Sequence, residues 1–370
     1  MNPDFLIVGG GIIGLSSALE LARGGASVAV LERGACGGES SWAGGGILSP
    51  LLPWDYPAAV TDLTQSSCRF YAEWAGHIAE VSGLDPEYRR SGMLVLPEFD
   101  SGRAMNWSRS HQMRIERVQK RDRLPEAVSD GEALWLPDVA QVRNPRLIKA
   151  LRLALDRMGV RILEHVEVTG MEVGGERLVR LDTTAGPFEA DQYVVAAGAW
   201  SKKLLGEQGT QVDIKPIRGQ MLLFRTRPGM LRHIILQNGF YLIPRDDGHI
   251  LAGSTLEDAG FDKSTSEEAR NRLHASAMNL LPQLAQAEFV KHWAGLRPGS
   301  PGNIPIIARH PQIGNLYLNS GHFRYGVTMA PASARILANR ILRREPSFDA
   351  SAYDWPEINS KVLDKVQNLV

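Results

Sequence analysis

The first hydrophobic stretch, Phe5-Leu6-Ile7-Val8, is apolar at every position and stops at Gly9-Gly10-Gly11. Apolar residues then recur at helical spacing from Ile12 to Arg23, and a second apolar run covers Ser27 to Leu31. Strand, helix and strand within about thirty residues is the size of a βαβ unit. Because the first run is apolar on both faces, its sheet is predicted to be parallel and covered by helices. The stretch Cys36 to Pro53 is dense in glycine, serine and proline and reads as a loop, ordered where it meets a ligand. Ala58 to Gly83 and Pro145 to Met158 carry helical periodicity, and Arg161 to Glu164 reads as a strand followed by alternating strands to Phe188. Tyr193-Val194-Val195-Ala196-Ala197-Gly198 is another buried strand that ends on glycine.

Pro216 to Thr255 alternates with period two and has turn signals at Arg227-Pro228-Gly229 and Asp246-Asp247-Gly248, which predicts an antiparallel sheet. Ser266 to Leu281 reads as a serine-capped helix with glutamates behind the cap, and Leu316 to Asn319 as a short strand. Pro331 to Arg343 reads as a helix with Ala334, Leu337, Ala338 and Ile341 on one face. The polar, basic segment Arg103 to Arg123 is placed on a peripheral helix or loop.

Composition narrows the class. The 370 residues are 44% hydrophobic, enough for a large core shared by two domains. Lysine plus arginine equals aspartate plus glutamate at 41 each, so no global field recruits nucleic acid or an anionic membrane, and charge selectivity must be local. Cys36 and Cys68 cannot build a disulfide framework and match no metal-ligand spacing, which fits a reducing cytoplasm. Cys36 is read as a small packing residue. The run at Phe5 is too short for a membrane span or a signal-peptide core. His165, His292 and His310 lack paired spacing, so no metal site is expected. Arg109, Arg114, Arg117, Lys120, Arg121 and Arg123 are interrupted by Glu116 and Asp122 and have few aromatic neighbours, which points to a solvated face and away from nucleic acid.

Gly9-x-Gly11-x-x-Gly14, between a strand and a helix, has the parts of a pyrophosphate site. One glycine permits the tight turn, one leaves bare backbone for the phosphates, and one lets the helix pack on the strand. The helix start adds partial positive charge. Glu32, about eighteen residues beyond Gly14, can accept from both ribose hydroxyls and disfavours a 2′-phosphate. These features separate neither NAD from FAD.

Four segments together resemble the D-amino acid oxidase and sarcosine oxidase family of flavoenzymes, closest to its glycine oxidase branch linked to thiamine biosynthesis. They are Gly9 to Gly14 with Glu32, Glu39-Ser40-Ser41-Trp42-Ala43-Gly44-Gly45-Gly46-Ile47, Val194 to Ser201, and Trp293 to Gly299 with Gly321 to Gly326. The likeness extends to about Arg343. It implies a Rossmann-like α/β FAD-binding domain plus a substrate domain with a mostly antiparallel sheet. The expected ranges are 1–85, 140–215 and 296–370 for the first and 86–139 and 216–295 for the second. By the same resemblance Ile12, Ile13, Glu32, Arg33, Ser40, Ser41, Gly45, Gly46 and Ile47 line FAD, Val168 holds the adenine by its backbone, and Gly198 allows close packing. His322, Phe323, Arg324, Tyr325, Gly326, Val327 and Thr328 are expected to pass the flavin, with the following helix start favouring its anionic reduced form. No cysteine follows Arg297 and the Ser40 to Gly46 loop has no histidine, so FAD is expected to be non-covalent.

A substrate carboxylate needs a fixed cation, and a guanidinium offers a two-pronged fork. Arg297, in Trp293-Ala-Gly-Leu-Arg-Pro-Gly, matches the family arginine that binds it. Tyr241 resembles the tyrosine that assists, with core packing as its rival role, and Arg324 matches an arginine near flavin and substrate. The expected chemistry is loss of the Cα hydrogen of a deprotonated amine as hydride to flavin N5. Reoxidation by dioxygen gives peroxide, and imine hydrolysis gives an oxo acid and ammonia, with no side chain needed as base. Glycine is the first substrate candidate; oxidation of sarcosine or a D-amino acid, or a dehydrogenase, is the alternative, and a nucleotide-binding regulator without turnover is the alternative of another class. The resemblance implies a homotetramer.

Overall fold

In a computed structural model, residues 2–124, 131–344 and 348–356 are described. Residues 1, 125–130, 345–347 and 357–370 of the ranges expected above lie outside them.

Phe5–Val8 is buried along its whole length and pairs in parallel with Val28–Glu32 on one side and Gln192–Val195 on the other. Arg161–Glu164 and Leu316–Ser320 extend the two flanks in parallel, and Ile306–Arg309 closes one edge antiparallel. Alternate side chains leave a strand on opposite faces. Ile7, Val30 and Val194 accordingly meet the helices Ile12–Arg23, Ala58–Ser82, Asn144–Arg157 and Gly326–Ile341, whose apolar stripes include Leu15, Leu19, Trp74, Leu151 and Leu337. Leu6, Val8, Tyr193 and Val195 fill a second core with Leu178, Leu181 and Leu318. The sheet is parallel but for one edge strand, and helices cover one face as predicted; the other packs against the paired strands Val168–Gly174 and Arg177–Thr183.

The second sheet has the order Glu288–Gly299, Lys215–Arg225, His249–Gly253, Phe240–Pro244, Ile234–Gln237, Met93–Val95, Glu132–Leu136, Glu116–Gln119. Its pairs are antiparallel except that of Ile234–Gln237 with Met93–Val95. Ser266 accepts from the Ala269 amide at 3.2 Å and starts the helix Glu267–Leu280, as its sequence predicts.

Some elements differ from the sequence reading. The last long helix begins at Gly326, with Pro331 inside it. Proline removes an N–H and frees the carbonyl one turn earlier. Here the Tyr71 hydroxyl donates to the Val327 carbonyl at 3.0 Å, and the Ala332 amide donates to Ser67 Oγ at 3.0 Å, so the neighbouring helix fills the gap. Asn238 and Gly239, both at positive φ (49° and 77°), join two strands where no turn was predicted. Within Arg103–Arg123, the helix Ser101–His111 is followed by an edge strand, Glu116–Gln119. Its arginines meet acids: Arg114 holds Asp138 at 2.7 Å and Arg117 lies 3.8 Å from Glu132. Glu288–Gly299, which carries Arg297, is a twelve-residue strand for which no element was predicted.

Candidate active site

A cavity of about 510 Å³ lies between the two sheets, with the Gly9 turn on one wall and Arg297 on another. The turn is made by main chain. Gly9 sits at φ +115° and a Cβ there would stand 2.5 Å from the Ala196 carbonyl oxygen; a Cβ on Gly14 would collide with the Gly9 carbonyl oxygen. Gly14 therefore brings the helix onto the turn and does not itself line the cavity. The free amide of Ile12 at the helix start donates to Ser41 Oγ at 2.9 Å. Glu32 accepts from the amides of Gly10 at 2.7 Å and Gly34 at 2.8 Å, one on each carboxylate oxygen, which fixes the carboxylate and leaves lone pairs on both. Gly10 was not singled out in the sequence, although its amide is what orients that acid.

The Ser40–Ile47 loop folds over the same cavity with a short helix, Ser40–Ala43, at its start. Asn144 Nδ2 donates to the Ser41 carbonyl at 2.9 Å, and the Thr328 hydroxyl donates to the Ile47 carbonyl at 3.0 Å. The buried Arg245 guanidinium donates to the carbonyls of Gly45 at 2.7 Å and Val142 at 3.0 Å, and to Gln141 Oε1 at 2.7 Å. Burial first, and then the nearby Arg143 and Arg89 cations, lower its pKa to about 9. No sequence signal marked Arg245, because its importance depends on the loop two hundred residues away that it reaches. Arg33 lies 3.7 Å over the Trp200 ring and pairs with Glu39 at 3.0 Å.

Of the remaining predicted positions, Gly11, Ile13, Gly46, Val168, Gly198 and His322 to Thr328 all line the cavity. Burial holds the His322 imidazole neutral, with its pKa pushed down to about 3, and Nε2 lies 2.9 Å from Ser333 Oγ. Tyr325 contacts Tyr56 hydroxyl to hydroxyl. Cys36 packs beside the turn, and burial together with Glu164 and Glu32 pushes its thiol up to about 12, as suits an inert packing residue. Among the described residues no cluster of three histidine, cysteine or acidic side chains could hold a metal ion.

On the opposite wall the sheet presents Tyr241, Met221, Gly219 and Arg297. Gly219 pairs with Gly295 across the strands, and a Cβ on Gly219 would collide with the Arg297 guanidinium, so its absence makes the guanidinium's seat. Arg297 donates from Nη2 to Ser254 Oγ at 2.8 Å and from Nη1 to the Thr255 carbonyl at 3.2 Å. Its pKa is lowered by burial first; the Tyr241 phenol opposes that shift and the Arg324 cation adds to it. The two arginine segments are joined directly: the Phe323 amide donates to the Pro298 carbonyl at 3.0 Å. Among the described residues neither Arg297 nor Arg324 forms an ion pair. Tyr241 lines the cavity and is 7% exposed.

Residues 4–340 match the family described as FAD dependent oxidoreductase (DAO). The chain belongs to that family. It is 43% identical over 358 residues to a glycine oxidase from Pseudomonas aeruginosa, covering 95% of this chain and 98% of that one. It is 32% identical to a bifunctional protein ThiO/ThiG from Synechocystis, covering 94% of this chain and 52% of that longer one. The crystal structure of glycine oxidase from Geobacillus kaustophilus superposes with a TM-score of 0.92 at 27% identity, covering 96% of this chain and 99% of that one.

As a family member the chain is an FAD-dependent oxidoreductase. The residues present fit that cofactor. Gly198 lines the cavity at φ +55°, a left-handed conformation that favours glycine, and a Cβ there would meet no protein atom within 4 Å, so the cavity stays open to a ligand at this point. The Gly9 turn, the helix start and the fixed Glu32 carboxylate suit the dinucleotide portion of FAD.

Proposed function

We propose that this chain oxidises the amine of glycine, or of a similarly small amino acid, to the imine, with release of an oxo acid and ammonia after hydrolysis. Bound FAD supplies the two-electron acceptor. The observation that carries the reading is a pair of guanidiniums, Arg297 and Arg324, that line one cavity without a carboxylate on either. Such a pair is set for an acid group that comes from outside the protein. Arg297 grips the substrate carboxylate, Arg324 adds attraction, and the Tyr241 hydroxyl donates to it. Together they hold the Cα in one orientation and no side chain is needed as base. The names of the relatives support glycine among small amino acids, and the ThiO/ThiG relative supports a place in thiamine thiazole formation. Non-covalent FAD, dioxygen as acceptor, a homotetramer and a cytoplasmic setting belong to the same reading; no described helix is long and apolar enough to cross a membrane.

The test is a substrate panel of glycine, sarcosine and D-alanine under air, scored by peroxide. Glycine is expected to give peroxide and ammonia in equal amounts. Bleaching of the flavin by glycine without oxygen, but no peroxide in air, would make the chain a dehydrogenase; no bleaching by any of the three overturns the reading.

A further inference from the structure

A guanidinium that must meet a substrate in one orientation needs its own anchor, and Arg297 has an unusual one. Its side chain leaves the edge strand Glu288–Gly299, passes over the bare backbone of Gly219 and ends on two neutral oxygens, Ser254 Oγ at 2.8 Å and the Thr255 carbonyl at 3.2 Å. Neither Ser254 nor Thr255 lines the cavity, so both stand behind the guanidinium and not beside a ligand. They use two of its five N–H groups and leave the others for the cavity side.

The anchor is itself fixed. After the strand His249–Gly253 the chain lies back along Lys215–Arg225, where the Gln220 amide donates to Thr255 Oγ1 at 2.8 Å. The amides of Arg218 and Glu257 donate to each other's carbonyls at 2.9 and 3.0 Å, and Arg218 Nε donates to Glu257 Oε2 at 2.8 Å. The anchor also has a force to resist. Arg324 lies near enough to disfavour charge on Arg297, and a long side chain facing a like charge turns away unless held.

We propose that Ser254 is a positioning residue: its hydroxyl oxygen, with the Thr255 carbonyl, aims Arg297 into the cavity and so sets the affinity for the acid group of the substrate. The proposal rests on the assignment of Arg297 to that acid group. Because the oxygens are neutral they orient the guanidinium without cancelling its charge. A carboxylate in their place would hold it equally well but would compete with the substrate.

Acetate, which has the acid group and no amine, is the probe. Titrated into the FAD-loaded protein and followed by the flavin absorption spectrum, it should bind Ser254→Ala about fivefold to tenfold more weakly than wild type. Ser254→Thr keeps the hydroxyl and should stay within about twofold of wild type. With glycine, KM should rise by the factor seen for acetate while kcat stays within about twofold. FAD affinity, measured by titrating the apoprotein, should not change. Wild-type acetate affinity in Ser254→Ala overturns the proposal, and so does a parallel loss of FAD affinity, which marks a general disturbance. Arg297→Ala separates the underlying reading: if it binds acetate like wild type, the assignment of Arg297 fails. Should Ser254→Ala not fold, Ser254→Cys, similar in size but a weak acceptor, should show the same weakening, and wild-type affinity there is equally fatal.

Discussion

The two walls of the cavity are built from different materials. The wall that suits a nucleotide is shaped by main chain: the glycine turn at 9 and 11, the helix start at Ile12, and one acid, Glu32, locked by the amides of Gly10 and Gly34. The wall proposed to meet substrate is made of side chains, Tyr241, Arg297 and Arg324, brought together from separate segments of the sequence. A main-chain wall recognises features that a cofactor always presents. A side-chain wall can be changed one residue at a time. The difference teaches that loss of a group on the first wall should remove the cofactor, whereas loss on the second should weaken substrate and leave the cofactor in place.

The largest effect is expected from Gly14→Ala, whose methyl collides with the Gly9 carbonyl oxygen and must push the helix off the turn. The purified variant should carry essentially no flavin, read from the absorbance ratio; a full complement would break the contrast between the walls. Next comes Arg297→Ala. Loss of charge-assisted hydrogen bonds at about 1.5–3 kcal/mol each predicts a KM for glycine about 100-fold higher. The FAD dissociation constant should hold within about threefold, and a comparable loss of flavin would merge the two walls into one. The smallest is Gly219→Ala, where the added methyl lands on the guanidinium seat. A rise in KM of about tenfold is expected, and it should add little to Arg297→Ala in the double variant, since both act on the same group.

The same division decides what could be read in advance. The turn at Gly9 to Gly14, the strand Phe5–Val8 and the acid at position 32 lie within one short βαβ unit, where spacing along the chain is close to spacing in space. The resemblance carried Arg297, Tyr241 and Arg324 by motif, and the fold brings all three to the cavity. It said nothing of the strand that bears Arg297, whose residues Glu288–Gly299 follow no clean alternation because part of the strand is exposed and part lies under the Ser40–Ala43 helix. Gly219 and Arg245 were invisible for a related reason: one matters through a cross-strand partner, the other through a distant loop. Pro331 misled the reading of the last helix because proline is a local stop signal, and the groups that cancel it, Tyr71 and Ser67, belong to another helix.

The hydrogen bond from the Phe323 amide to the Pro298 carbonyl has a bearing on how such an enzyme could diversify. Each arginine is the immediate neighbour of one end of that bond, so the two backbone segments that bear the cations are held at one spacing, and the anchors of the side chains set only the reach from there. If the proposed function holds, new substrates would be admitted by reshaping the surfaces that meet the rest of the molecule, such as Met221 or Leu51, while the spacing of the two arginine-bearing segments is inherited unchanged.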